Sequence, residues 1–316
     1  MSELSARWTD QQILDVRPPK HPTDPHRPYS FLVEPELTVG GQVEDVATIF
    51  LTNRECPYRC LMCDLWRNTT DAPVPPGAIP AQIDYALEHL PRARHVKLYN
   101  SGNFFDRQAI PPQDHAAIAD RTRMFRTVTI ENHPRFCTSA CPRFRDLLGT
   151  DLEVGIGLET AHPQILDRLN KQMTLDDFER AVRFLRPHAI AVRAFILLRP
   201  PFMEEQEGVE WAVRSIEYAF SVGVECCSVI PTRTGNGALE QLHTAGLFDP
   251  PTLTSMETVL EAGIGMARGR VFMDLWDIDR RYACDRCGPL RRERMHRMNL
   301  SQSPAPHVHC DDEAHR

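Results

Sequence analysis

The chain has 316 residues, 42% hydrophobic and 25% charged, the make-up of a globular protein large enough for one α/β barrel or two domains. Its formal net charge of −7 argues against non-specific nucleic-acid binding by the whole surface. No run of about 18 apolar residues occurs, so no membrane span is expected. The start, Met1-Ser2-Glu3-Leu4-Ser5-Ala6-Arg7, lacks the apolar region of a secretory signal, so a cytoplasmic location is expected, with the ten cysteines binding metal or staying reduced.

Residues 1–44 are rich in Pro and charge, as in Arg17-Pro18-Pro19-Lys20-His21-Pro22. Pro lacks an N–H and has a fixed φ, which rules out long helices here. The stretch reads as an extended arm that wraps the core, with a disordered tail as the alternative.

The apolar run 46–51 leads into Arg54-Glu55-Cys56-Pro57-Tyr58-Arg59-Cys60-Leu61-Met62-Cys63. Cys56, Cys60 and Cys63 stand at C-x3-C-x2-C spacing. Three thiolates on one loop can hold three irons of a [4Fe-4S] cluster and leave the fourth iron for another ligand. The competing reading is three structural cysteines or half a zinc site, but zinc usually pairs two C-x2-C knuckles, and no second one lies nearby.

Beyond residue 46, short β-branched runs alternate with helical patterns. Strands are expected at 46–51, 95–99, 127–130, 152–158, 190–198 and 226–230. A helix is expected at 81–90. Another starts at Thr174, where Thr174-x-x-Asp177 reads as a capping box, followed by the stripe Phe178, Ala181, Val182 and Leu185, and it ends at Pro187. A third contains Trp211, Ser215, Tyr218 and Val222 and opens in Glu204-Glu205-Gln206-Glu207. This alternation predicts parallel pairing and a partial (β/α)6 barrel over residues 45–236, with ligands at the C-terminal strand ends. Residues 237–316 form a C-terminal extension with a helix at 252–266, a last short strand at 270–275 and a metal-binding tail.

Those strand ends carry the candidate site. Ser101, Gly102 and Asn103 follow the second strand; their oxygens can accept from an ammonium, though Ser-Gly-Asn is also an ordinary turn. Glu131 follows the third strand and is read either as a ribose or substrate ligand or as a solvated loop acid. Gly155-Ile156-Gly157-Leu158-Glu159-Thr160 closes the fourth. Its glycines allow close backbone approach, and Glu159 needs a cation, either a basic side chain or a cationic ligand. Arg199 ends the fifth and suits a ligand carboxylate, a substrate anion or a buried acid such as Glu159. The loop 230–237 after the sixth strand is polar and able to sit against adenine.

In the tail, Cys284 and Cys287 form a C-x2-C knuckle that His309 and Cys310 can complete as a zinc site. An auxiliary iron–sulfur cluster is the rival reading. Around the knuckle, Arg280, Arg281, Arg286, Arg291, Arg292, Arg294 and Arg297 make a basic patch, read either as a tRNA-binding surface or as a solvated helix face. Cys226 and Cys227 read as small apolar fillers of a buried strand.

The cysteine motif resembles the signature of the radical S-adenosylmethionine (SAM) superfamily. In this family the open iron is chelated by the methionine part of SAM, a Gly-Gly-Glu-like segment at the place of Ser101–Asn103 binds its amino group, and an electron donor such as flavodoxin or ferredoxin is needed. Taken together, residues 97–106, 131–136, 155–160, 197–202 and 284–287 look like one branch, the radical SAM subunit of archaeosine synthase and its relatives. That resemblance spans roughly residues 45–310. It implies action on a modified 7-deazaguanine base in tRNA, where radical cleavage of a lysine adduct leaves an amidine. The branch tends to have Ser where Asn103 stands, and Ser-Arg where Asn132-His133 stand, so the charge near the site differs here.

Overall fold

The strands form where β-branched and aromatic residues run together, since such side chains fit a pleated, covered surface. The computed structural model describes residues 7–310; the first six residues of the expected arm and the last six of the tail lie outside it. One sheet holds β1 (Ser30–Leu37), β2 (Val43–Phe50), β3 (His95–Tyr99), β4 (Thr127–Glu131), β5 (Asp151–Glu159), β6 (Ile190–Leu198), β7 (Cys226–Pro231) and β8 (Arg270–Met273), in that spatial order. Each pair from β2 to β8 is parallel, whereas β1 runs antiparallel to β2. The sheet curls into a half-barrel, in keeping with the partial-barrel expectation. Strands β2 to β7 are the six expected ones, with β3 and β6 ending where the sequence placed them.

Ten α-helices stand among the described residues: α1 (Asp10–Asp15), α2 (Ala78–His89), α3 (His115–Thr122), α4 (Ala140–Leu148), α5 (Pro163–Arg168), α6 (Leu175–Leu185), α7 (Glu205–Val222), α8 (Ala238–Thr244), α9 (Leu253–Gly265) and α10 (Cys287–Ser301). The capping box at α6 is present, with Thr174 and Asp177 each bonding the other's backbone N–H. Its stripe of Phe178, Ala181, Val182 and Leu185 is buried in the common core, with Val154, Ile156, Val192 and Ile196 of the sheet. Cys226 and Cys227 are both fully buried on β7.

Two strands extend the sheet beyond six units. The arm supplies β1, whose Pro35 is tolerable because the strand lies at the sheet edge. The C-terminal extension supplies β8. Contacts between charged and polar side chains of neighbouring and distant strands mark the concave face. Arg193 on β6 donates to Glu153 on β5 at 2.9 Å, to Ser228 on β7 at 3.2 Å and to Glu36 on β1 at 2.6 Å. Lys97 on β3 pairs with the same Glu36, and Arg270 on β8 reaches Glu153 at 3.3 Å. Burial alone would raise the Glu36 pKa, but Arg193 and Lys97 hold it well below the carboxylate range. These charges fill the foot of the half-barrel, leaving the C-terminal strand ends as its mouth.

Candidate active site

The cysteine loop is built by what holds its backbone. Leu61 is fully buried with Trp8 and Ile13 of the arm and Ala238, Leu239 and Leu242 of α8. Its carbonyl accepts from Asn236 Nδ2 at 2.7 Å, and its N–H donates to Leu169 O at 2.9 Å. Asn170 Nδ2 donates to Arg59 O at 2.8 Å. Glu55 pairs with Arg17 at 2.7 Å and Lys20 at 2.9 Å, fastening the arm to the loop. The Cys56, Cys60 and Cys63 thiols are free of disulfides and partly covered. Burial pushes up the pKa of all three, that of Cys63 to about 12. The raised pKa of these three thiols does not bar iron, because metal coordination deprotonates a thiol outright, but among the described residues only the tail sulfurs stand within 4.8 Å of one another.

The loop after β3 lies against this one. Asn103 Nδ2 donates to Cys56 Sγ at 3.3 Å, and Asn103 Oδ1 accepts from His133 N at 2.6 Å. A Cβ on Gly102 would stand 3.5 Å from Cys56 Cβ, so the backbone there approaches the cysteine closely. Ser101, at φ +52°, shares a hydrogen bond with Tyr29 Oη at 3.1 Å. Glu131 is half-buried and accepts from the N–H groups of Asn100 at 2.6 Å and Gly102 at 3.4 Å. Burial raises its pKa to about 7. Its oxygen therefore shapes the Asn100–Gly102 turn from within. Both side-chain atoms of buried Asn100 lack a hydrogen-bond partner among the described residues. An unmet buried amide beside the thiols fits a polar ligand at this spot.

Glu159, at φ +63° and just past a register shift at the end of β5, pairs with Lys171, a residue that the sequence reading did not single out. Both side chains are about nine-tenths covered. Burial opposes the Lys171 charge, but Glu159 and the nearby Cys60 more than offset it, and its pKa lies above the ordinary lysine value. Gly157 leaves the space this pair occupies. The carbonyl of Lys171 meets His133 Nε2 at 3.1 Å, and the His133 ring stacks on Tyr58 with centroids 4.2 Å apart. Lys171 thus sits in a segment, 169–172, docked on the cysteine loop.

Arg199 is not brought into this group. It pairs with Glu205 at the start of α7 and with Asp249 at 3.5 Å, and it donates to Pro250 O at 3.3 Å. Of the expected residues, the structure gathers Ser101, Gly102, Asn103, Glu131 and Glu159 around the cysteine loop and leaves Arg199 in a separate cluster.

In the tail the sulfurs of Cys284, Cys287 and Cys310 lie within 4.8 Å of one another. Backbone N–H groups of Cys287 and Arg286 hold the Cys284 thiol below its ordinary pKa. The His309 ring is not one of the converging groups, although the residue lines the adjoining cavity. The basic patch is narrower than its sequence. Arg291 pairs with Glu257 at 2.6 Å, and Arg294 is buried against Glu257, Glu261 and the carbonyls of Ala305 and Pro306. No helix among the described residues is long and apolar enough to cross a membrane.

No protein-family model matches the chain. An uncharacterised protein of Methanocaldococcus jannaschii is 24% identical over 310 residues, covering 88% of this chain and 82% of that one. Archaeosine synthase subunit beta of Methanosarcina acetivorans is 27% identical over 273 residues, covering 79% and 76%. Among solved structures, methylornithine synthase superposes with a TM-score of 0.53 at 14% identity, over 79% of this chain and 68% of that one, a likeness of fold. With the half-barrel and the three-cysteine loop, these findings support a resemblance to the radical SAM superfamily. Of these relatives, archaeosine synthase subunit beta carries a functional name.

Proposed function

We propose that the protein is a radical SAM enzyme, with Cys56, Cys60 and Cys63 holding a [4Fe-4S] cluster. The observation that carries this reading is the contact of Asn103 with Cys56, which seats the loop after β3 against the cysteine loop. When cluster and SAM are bound, one electron from a flavodoxin or ferredoxin cleaves SAM to methionine and a 5′-deoxyadenosyl radical that abstracts hydrogen from the substrate. The chain's own groups bind and orient. Ser101 and Asn100 offer oxygens to the SAM ammonium, and Glu131 keeps their turn in place. The charges at the foot of the half-barrel exclude water from below.

The substrate we favour is a modified 7-deazaguanine nucleoside in tRNA or a related base, from the name of the M. acetivorans relative. Cys284, Cys287 and Cys310 are read as a zinc site, with His309 as the nearby histidine able to join it. A cytoplasmic setting follows from this chemistry. Anaerobic reconstitution should give about four irons per chain, and reduction with SAM should release 5′-deoxyadenosine. A Cys60→Ala protein that still released 5′-deoxyadenosine would overturn the proposal.

A further inference from the structure

Beside the three tail thiols lies a cavity of about 1120 Å3, opening at the ends of β7 and β8. Four of its lining residues are arginines, Arg233, Arg280, Arg281 and Arg291, against the acids Glu257 and Asp277. Their charges are not equally free. Glu257 neutralises Arg291 at 2.6 Å, and Arg280 is an exposed side chain 3.9 Å from Asp277. Arg281 differs from both. Its guanidinium donates only to backbone carbonyls, Thr232 O at 3.2 Å, Pro231 O at 3.4 Å and Pro251 O at 3.4 Å. No carboxylate stands within ion-pair distance of it among the described residues. Burial lowers its pKa, as it does for a cation whose charge is incompletely compensated. Arg233, one strand end away, faces Asp64 at 3.5 Å, and Asp64 directly follows Cys63. The cavity therefore adjoins the cysteine loop.

We propose that this cavity binds a phosphate-bearing ligand, with Arg281 and Arg233 as its cationic contacts. A half-buried guanidinium held in place by three carbonyls is oriented but not neutralised, and a phosphate supplies the missing charge with matching fork geometry. A phosphate here stands beside the cysteine loop, where a substrate's reacting part must also be. The radical SAM reading enters only in that last step, so binding and turnover are separate measurements.

The test is calorimetry on the full chain, with and without reconstituted cluster, using inorganic pyrophosphate, adenosine 5′-monophosphate and a short stem-loop RNA as probes. At least one probe should saturate the protein, and Arg281→Met should weaken it about tenfold or more, the size of a lost charge-assisted hydrogen bond. Arg291→Gln should stay within about twofold, because that charge is already paired. Saturation by the monophosphate assigns a free nucleotide; saturation by RNA alone assigns a polynucleotide backbone. If Arg281→Met fails to fold, by its circular dichroism and melting, Arg233→Met carries the same expectation. No saturation by any probe, or equal losses in Arg281→Met and Arg291→Gln, overturns the proposal. Loss of 5′-deoxyadenosine formation with phosphate binding intact instead counts against the radical SAM reading.

Discussion

Asn103 grips Cys56 from the neighbouring strand end, its Nδ2 3.3 Å from the sulfur, while its Oδ1 holds the His133 backbone at 2.6 Å. One amide thereby ties three strand-end loops to a single thiol. A hydrogen bond to a ligating sulfur stabilises its anionic form and tunes the metal.

Replacing Asn103 with Leu removes both bonds at similar size. Iron retention after gel filtration should fall about 10–100-fold in affinity, the usual effect of losing a group that supports a metal ligand. Asn103→Ser, the residue typical of the related branch, should retain more iron than Asn103→Leu. Equal iron content in all three proteins would show that the contact is idle.

The pair of Glu159 and Lys171 should behave as a unit. Lys171→Met leaves an unpaired buried carboxylate and should cost about 3–5 kcal/mol in urea unfolding. Lys171→Met with Glu159→Gln should recover much of that loss, since neither remaining group carries a charge. Additive losses in the double variant would contradict the pairing.

Stability should depend on pH through Glu131. Burial raises its pKa from the ordinary 4.5 to about 7. Between those values the unfolded chain has released the proton and the folded chain still holds it, so stability falls as pH rises through this window and levels off above it. The change from this group is about 3 kcal/mol. Urea midpoints from pH 5 to 8 should show it, and Glu131→Gln, which keeps an oxygen for Asn100 and Gly102, should flatten the curve.

Metal content decides the tail. Purified protein should carry one zinc that a chelator removes with a drop in melting temperature, because the metal ties the start of α10 to residue 310. Cys310→Ser should lower the zinc occupancy. Iron with charge-transfer absorption at these thiols would instead make the site an auxiliary cluster.

The parallel strands were legible because burial on both faces leaves near-continuous apolar runs, as at 194–198, and because α6 carries its start signal in Thr174 and Asp177. β1 was read only as an extended arm, since Pro35 and alternating acids resemble a charged tail; the acid Glu36 is explained only by Arg193, distant in sequence. Lys171 was missed for the same reason. It lies between α5 and α6 with no motif around it, and its role comes from its neighbours Leu169 and Asn170, which bond Leu61 and Arg59, and from its own carbonyl, which meets His133. Arg199 stood at a strand end like the others, but Glu205, read as a helix-start acid, claims it as well as the N-terminus of α9.

The antiparallel strand β1 has a further consequence. Through Glu36 it grips Arg193, and through the Leu37 carbonyl it takes a hydrogen bond at 3.2 Å from Arg270 on β8, so the first and last strands of the open sheet are laced together. The arm fastened to the cysteine loop and the segment that ends at the tail thiols are thus two halves of a clasp. Loosening either should let the half-barrel gape, so that a disturbance at the cysteine loop is felt mechanically at the tail thiols.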